Sequence, residues 1–164
     1  PSIGFVKTTT SDLLDPRDGY RLELLARGGV DALLSDQNFA QVYMQWKWLK
    51  SVSSKGLWVV RTELGATFPR EIEKLPLSIR FYAGGNDSLR GFRYRSLPPE
   101  INKSNEQTSP GGAYLTVANL EYNQSIWGPV KLAAFVDAGG AIRSFHDDFQ
   151  LSTGLGLRWQ TPVG

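Results

Sequence analysis

The sequence predicts an all-β protein, part of an antiparallel up-and-down transmembrane β-barrel. Three observations predict this fold class. Apolar and polar residues alternate along seven stretches, short and long connections alternate between those stretches, and the five tryptophans cluster beside the short connections. Alternation with a period of two is typical of strands that have one buried or lipid-facing side. We therefore treat residues 1–164 as part of one barrel domain with a long loop over residues 69–112.

The seven stretches differ in length, and the first is the weakest. They cover residues 2–9, 20–27, 37–50, 56–68, 114–123, 130–137 and 150–159. Several are longer than a strand of a soluble sandwich, whereas a tilted membrane span needs about nine to eleven residues. The polar side carries opposite charges such as Arg61 and Glu63. We predict that the opposite side points into lipid, with Trp46, Val60, Leu120, Leu132 and Leu155 among its members.

The connections fall into two classes. Residues 15–19, 51–55 and 125–129 form short connections, and residues 31–36, 69–112 and 139–148 form longer ones. Strict alternation of this kind is typical of outer-membrane barrels, which have short periplasmic turns and longer extracellular loops. The short connections are therefore predicted to lie on the periplasmic side.

The tryptophans support that orientation. Aromatic rings with a polar group prefer the boundary between membrane and water. All five lie at the predicted periplasmic end, as one aromatic girdle made of Trp46, Trp48, Trp58, Trp127 and Trp159.

Composition excludes several other classes. The net charge is only +2, which is too small a bias to indicate nucleic acid, and no apolar run approaches the length of a transmembrane helix. The mean hydropathy of -0.26 does not argue against a barrel, because alternating strands average to mild values. Cysteine is absent, so no disulfide or thiol nucleophile is available. We expect no metal site, since the single histidine, His146, stands in a polar stretch without further nitrogen or sulfur ligands.

Neither end of the sequence has the pattern expected at the natural end of a barrel protein. Residues 1–4 lack the charged start and apolar run of a signal peptide, and the chain stops shortly after a patterned strand. We expect both ends to be cut edges of a longer barrel.

The long loop over residues 69–112 exceeds the usual length of a connection between strands, and loops of this length are usually functional or disordered. Gly84 and Gly85 permit a tight backbone turn, and with Ser88 they are the candidate supports of the loop. The spacing of Gly84, Gly85 and Gly91 also suggests a phosphate-binding loop, but the helix and lysine that such a loop needs do not follow.

Three motifs occur together in this half of the chain. Leu89-Arg90-Gly91-Phe92 stands in the long loop, Phe135-Val136-Asp137-Ala138-Gly139 in the next-to-last strand, and Gly154-Leu155-Gly156-Leu157-Arg158-Trp159 before residues 161–164. In this order they resemble the sixth extracellular loop and the two strand motifs of the BamA/TamA superfamily of outer-membrane assembly proteins. The strand residues that carry the resemblance are Phe135, Gly139, Gly154, Gly156 and Arg158. Residues 81–85 and 93–94 look more like the TamA branch.

The resemblance implies a barrel of about sixteen strands, with this chain beginning near the eighth. The last two strands, the opening strands, the soluble periplasmic POTRA domains and the seam between first and last strand would lie outside it. The implied function is insertion or export of outer-membrane proteins such as autotransporters, in the bacterial outer membrane. The implied partners are outer-membrane lipid, unfolded outer-membrane protein substrates and a TamB-like protein anchored in the inner membrane. No cofactor and no nucleic acid are implied.

Glu121 and Asp137 are predicted to share the polar side of adjacent strands. A guanidinium folded into the barrel could bridge both carboxylates, since its planar fork suits paired acceptors. The resemblance assigns this role to Arg90, flanked by Gly91 and Phe92, as a loop lock. The alternative is that all three are ordinary solvated charges.

Other functions stay open at this stage. A BamA-type assembly factor, a two-partner secretion transporter, a passive barrel pore and a soluble all-β binding module are all compatible with the pattern. An enzyme is not expected, because the paired carboxylates stand beside arginine without a nucleophile in a cleft.

Overall fold

The computed structural model describes residues 1–11, 16–29, 38–69, 75–97, 100–101, 107–108, 110–143 and 147–159. Nine strands lie in these residues: β1 (Ser2–Thr10), β2 (Gly19–Gly29), β3 (Phe39–Ser51), β4 (Gly56–Pro69), β5 (Glu100–Ile101), β6 (Gln107–Thr108), β7 (Tyr114–Trp127), β8 (Val130–Ile142) and β9 (Gln150–Trp159). The expectations for His146, for the connection over residues 31–36 and for residues 161–164 fall outside the described residues.

Seven long strands form one antiparallel sheet in the order β1-β2-β3-β4-β7-β8-β9. Each strand pairs with its predecessor and successor along the chain, except that β5 and β6 form a separate two-stranded ribbon inside the long connection. This is the up-and-down order of a barrel wall, and the all-β prediction is confirmed. No helix within the described residues is long and apolar enough to cross a membrane.

The register separates two faces, because residues directly opposite each other on paired strands point to the same side. One row is apolar or aromatic and runs Tyr20, Trp48, Val60, Leu120, Val136. The next row is polar and runs Arg21, Lys47, Arg61, Asn119, Asp137. We call the first side the outer face and the second the inner face. Trp46, Val60, Leu120, Leu132 and Leu155 all lie on the outer face, as expected.

The prediction that short and long connections strictly alternate was wrong. β8 continues to Ile142, so the last connection covers only residues 143–149, whereas the β1–β2 connection covers residues 11–18. Gly139 was taken as the start of a loop, but it pairs with Val117 and Gln150 inside the sheet. A Cβ at Gly139, whose φ is +139°, would run into the carbonyl oxygen of Thr116. Glycine here permits close approach of two strands and does not end one.

Trp127 also differs from expectation, because it ends β7 and does not lie in a turn. A register shift between Ser125 and Trp127 places Trp127 opposite Val130, so the turn itself consists of Gly128 and Pro129. The extra residue brings the ring to the outer face. By register the remaining tryptophans share that face. All five stand in the half of the sheet nearest the β3–β4 and β7–β8 connections, which we call the short turns.

Residues 75–97 of the long connection pack on the inner face. The buried apolar cluster there consists of Phe81, Ala83, Leu89, Leu97, Leu115, Val117 and Ala141, with Tyr43 and Phe92 packed against it. Burial of these side chains gives the loop a fixed position, since removal of apolar surface from water is its main stabilisation.

Candidate functional site

Two short bridges join segments of the folded loop to each other. Phe81 pairs with Gly112 and Ala83 pairs with Leu97, in both cases with antiparallel geometry. The ring of Phe81 stacks with that of Tyr43, with the centroids 6.3 Å apart. Gly65 of β4 lies beneath the same ring, where any Cβ would collide with it. The absence of a side chain at Gly65 therefore lets Phe81 reach the sheet.

Three glycines that the sequence analysis singled out form the turns that present the loop tip. Gly84, Gly85 and Gly91 have φ values of +105°, +104° and +88°, a region that side chains rarely adopt. The amide of Gly85 donates to the carbonyl oxygen of Leu89 at 3.1 Å, and the amide of Ser88 donates to that of Gly85 at 3.1 Å. The amide of Gly84 donates to the Ser88 hydroxyl at 3.4 Å. The predicted support residues thus lie in one compact turn directly before Arg90.

Arg90 binds both carboxylates named from the sequence. Its Nε donates to Asp137 Oδ2 at 2.7 Å and its Nη2 to Asp137 Oδ1 at 2.6 Å, a bidentate pair. Its Nη1 donates to Glu121 Oε2. The backbone amide of Arg90 also donates to Asp137 Oδ2, at 3.0 Å. The predicted contacts are therefore present, and their role in a loop lock stays a prediction.

A second arginine, which the sequence did not connect to this site, completes the network. Arg158 of β9 donates from Nε and Nη2 to the two oxygens of Glu121 at 2.8 and 2.7 Å. Asn123 donates to Glu121 Oε1 at 2.9 Å. We call Arg90, Glu121, Asp137 and Arg158 the lock cluster. Arg158 was named only as part of a strand motif, because its partner lies two strands away and no local pattern joins them.

An aromatic ring underlies the guanidinium of Arg90. The ring centroid of Phe135 is 3.7 Å from the central carbon of that group, which is cation–π geometry. Gly154 of β9 lies opposite Phe135, and a Cβ there would come within 2.5 Å of the ring. At Gly156 nothing lies within 4 Å of such an atom. Two glycines of the same predicted motif therefore have different surroundings, and only Gly154 makes room for the ring.

The lock cluster is largely removed from solvent. The exposed fraction of the side chain is 0% for Asp137, 5% for Glu121 and 12% for Arg90, against 52% for Arg158. Hydrogen bonds to Asp137 raise the pKa of Arg90 above its ordinary value, so the guanidinium is charged at any physiological pH. Two cations and two anions balance within the cluster. Buried charges arranged in this way stabilise each other only while every partner is present.

Three further contacts fix the loop along its length. Asn119 donates to the carbonyl oxygen of Ser88 at 2.6 Å, and Arg61 donates to that of Asp87 at 3.0 Å. Gln41, which is buried, donates to the carbonyl oxygen of Ile79 at 2.7 Å. All three donors are inner-face residues of the sheet, so the loop is attached to β3, β4 and β7 as well as β8.

In the lock cluster the carboxylates bind guanidinium groups. Within the described ranges, no group of three or more histidine, cysteine or acidic side chains could hold a metal ion. Glu121 and Asp137 both face arginine, and hydrogen bonds to these guanidinium groups occupy their oxygens. What the cluster does in this structure is attach the loop to the sheet.

Comparison with known proteins gives a family and a fold. The model of the Omp85 superfamily domain matches residues 2–164. A curated relative, the outer membrane protein assembly factor BamA of Nitratidesulfovibrio vulgaris, is 27% identical over 172 aligned residues, covering 99% of this chain. The crystal structure of BamA from Haemophilus ducreyi lacking POTRA domains 1–3 superposes with a TM-score of 0.81 at 22% identity, over 98% of this chain.

Both proteins are much longer than this chain. It spans 21% of the length of the curated relative and 36% of the solved chain. The similarity therefore concerns a portion of each.

Proposed function

The chain belongs to the Omp85 superfamily, and from this membership we propose that it is part of the barrel of a protein that inserts or exports other outer-membrane proteins. Its location is the bacterial outer membrane. The proposal extends to the whole protein the assembly role that the name of the Nitratidesulfovibrio vulgaris relative states for that protein.

One observation carries the proposal beyond family membership: the long loop is held on the inner face by Arg90 between Asp137 and Glu121. A passive pore of this fold would need an open interior, whereas here a loop with a buried ion pair covers the inner face of the wall. A buried pair that must stay complete is suited to holding a defined barrel shape while strands elsewhere separate.

The apolar side chains of the outer face support the proposal that this face contacts lipid. Its exposed residues include Leu120, Leu132 and Leu155, with exposed fractions of 45%, 39% and 76%. In the mechanism that we propose, the tryptophan end of this wall sits at the membrane boundary and thins the bilayer locally. Substrate strands then pair on an edge opened at a seam outside this chain. The action is mechanical and needs no enzymatic step.

Two assignments within the superfamily remain as proposals. Residues 81–85 and 93–94 favour the TamA branch, and with it a TamB-like partner anchored in the inner membrane. The names of both relatives favour a BamA-type factor instead. Affinity purification of the intact protein from its own membranes separates the two. Recovery of a TamB-like protein supports the first assignment, and its absence beside other outer-membrane assembly proteins supports the second.

The assembly function itself is tested by reconstitution. The intact protein in liposomes is mixed with an unfolded outer-membrane barrel protein, and the folded fraction is measured by its resistance to heat on a gel. We expect faster folding than in empty liposomes, and a loss of most of that gain in Arg90→Ala. Arg93→Ala is the matched control, since Arg93 is an exposed arginine of the same loop.

Two results would contradict the proposal. Equal folding rates with and without the protein would remove the assembly function. A large steady ionic conductance of the wild-type protein in planar bilayers, without any effect on folding, would favour the passive pore.

A further inference from the structure

A cavity of about 480 Å³ opens on the inner face beside the lock cluster, near the short turns. Five basic side chains line it: Arg21, Lys47, Arg61, Lys131 and Arg158. We call it the cationic cavity. The acidic residues of its lining are Asp87 and Glu121. Glu121 already binds Arg90 and Arg158, and Asp87 lies 3.8 Å from Arg61. Among the described residues, the lining therefore holds more basic than acidic side chains.

The sheet places these cations directly opposite one another. Arg21 faces Lys47 and Lys47 faces Arg61, across three neighbouring strands. Lys131 faces Arg158 in the same way across β8 and β9. Like charges directly opposite on paired strands are destabilising. Arg21 has Glu23 at 3.3 Å, but within the described part of the chain Lys47, at the centre of its row, has no ion-pair partner.

Two polar atoms of the lining also lack hydrogen-bond partners among the described residues. Arg61 Nε is an unused donor, and Asn123 Oδ1 is an unused acceptor on a residue that is 4% exposed. The orientation of the Asn123 amide is fixed, because its nitrogen donates to Glu121. A ligand that satisfies both atoms must offer an acceptor and also a donor.

We propose that the cationic cavity binds an extended polypeptide segment rich in carboxylates, entering from the short-turn end. The side-chain carboxylates would neutralise the row of Arg21, Lys47 and Arg61, and a backbone amide would donate to Asn123. A free phosphate can also supply a donor, since it keeps a hydroxyl at neutral pH, but it would fill little of the cavity, whose floor includes the apolar Leu57 and Val59. A lipid headgroup is disfavoured because the cavity is on the face opposite the lipid-facing rows.

This inference deepens the proposed function and rests on it, because an unfolded substrate is the source of the acidic segment. The row of Arg21, Lys47 and Arg61 spans about 10 Å across the strands, given the usual strand spacing. Alternate side chains of an extended peptide project to one side about 7 Å apart, so two carboxylates reach such a row together. Acidic residues at alternate positions are therefore the favoured pattern.

The test uses the intact protein in detergent and a fluorescent peptide in which glutamate alternates with valine. Anisotropy gives its affinity beside that of a peptide with glutamine in place of glutamate. We expect the glutamine peptide to bind about tenfold more weakly or worse, since paired charges carry the contact. We expect Lys47→Glu to weaken the acidic peptide by a similar factor. Lys55→Glu is the matched control: it makes the same charge change in an exposed turn outside the cavity and should change affinity less than about twofold.

A second readout separates lost binding from lost folding. Lys47→Glu replaces a repulsive row by an alternating one with Arg21 and Arg61, so its thermal unfolding temperature should equal or exceed that of the wild type. Equal binding of the two peptides, or equal effects of Lys47→Glu and Lys55→Glu, would overturn the proposal. Displacement of the acidic peptide by inorganic phosphate at the peptide's own concentration would overturn it as well, in favour of a small-anion site.

The outcome is distinguishable from failure of the assembly function. If the wild-type protein accelerates folding in liposomes but binds neither peptide, the cationic cavity is wrong and the function stands. If it binds the acidic peptide as described but never accelerates folding, the assembly function is wrong and the site stands.

Discussion

Replacement of Arg90 by alanine should release the loop tip from the sheet. The change removes a bidentate pair with Asp137, a hydrogen bond to Glu121 and the ring contact with Phe135. Glu121 keeps Arg158 and Asn123. Among the described residues no other arginine binds Asp137, which keeps the backbone amide of residue 90 as a donor while the loop is closed and is left as a carboxylate with no exposed surface. The main penalty therefore falls on Asp137.

The magnitude follows from that burial. Breaking a buried ion pair by removing one partner costs about 3–5 kcal/mol, because the other charge stays buried without compensation. Opening of the loop lets Asp137 reach water, so the free energy of local opening should fall by about that amount. A fall of about 3 kcal/mol corresponds to a more than hundredfold larger open population. Arg90→Lys should recover only part of the loss, since lysine keeps the charge without the planar fork.

Hydrogen exchange measured by mass spectrometry reports this opening directly. The amides of Gly85, Ser88 and Leu89 lie in the turn before Arg90, and exchange of a peptide covering them should accelerate about a hundredfold in Arg90→Ala. Arg93→Ala is the control, with an expected change of less than about threefold, since a substitution of an exposed side chain seldom exceeds 0.5 kcal/mol. Asp137→Asn added to Arg90→Ala should restore part of the protection by removing the unpaired charge. Unchanged exchange in Arg90→Ala would refute the lock.

Three other outcomes are expected. Gly154→Ala should lower the free energy of unfolding by about 1–3 kcal/mol, because its new Cβ displaces the Phe135 ring. Gly156→Ala, which has open space around it, should change the free energy of unfolding by less than about 0.5 kcal/mol. Equal effects of the two variants in a denaturant titration would contradict this prediction. Arg158→Ala should cost about 1 kcal/mol or less, because that side chain is 52% exposed and screened by solvent, and a loss in thermal unfolding as large as that of Arg90→Ala would be evidence against our ranking. Quenching by lipids brominated at defined depths should place Trp46, Trp48, Trp58, Trp127 and Trp159 in one interfacial band, and a spread over both leaflets would disprove the girdle.

The period-two pattern was sufficient to predict the long strands and their faces. It works because each residue along a strand changes sides, so a stretch such as residues 56–68 reveals its lipid side without knowledge of its neighbours. Strand ends were less predictable. Gly139 looked like a loop residue by composition, and only the carbonyl of Thr116 pressing on it explains why glycine stands inside the strand. Close approach between strands leaves no local trace in the sequence.

The candidate site was predictable where a motif marks it and not elsewhere. The contacts of Arg90 with Asp137 and Glu121 could be anticipated because both carboxylates share a face and the loop motif supplies the arginine. The bond from Arg158 to Glu121 and the cation–π contact of Arg90 depend on three-dimensional placement across β7, β8 and β9. The cationic rows likewise depend on register, which aligns Lys47 with Arg21 and Arg61. Pairing register is fixed by the whole sheet.

The most direct test of the account is a disulfide between the loop tip and the barrel wall in the native membrane. A Cβ at Gly91 would lie 3.7 Å from that of Ser152, within the range of disulfide geometry, and this chain contains no cysteine to interfere. Oxidation of the variant carrying Gly91→Cys and Ser152→Cys should give a product whose migration on a non-reducing gel shifts. Gly91→Cys with Thr153→Cys, whose side chain points to the outer face, should not. A cross-link in the first pair only is the result that the account predicts. Equal cross-linking in both pairs, or cross-linking in the second pair only, would contradict a loop locked on the inner face.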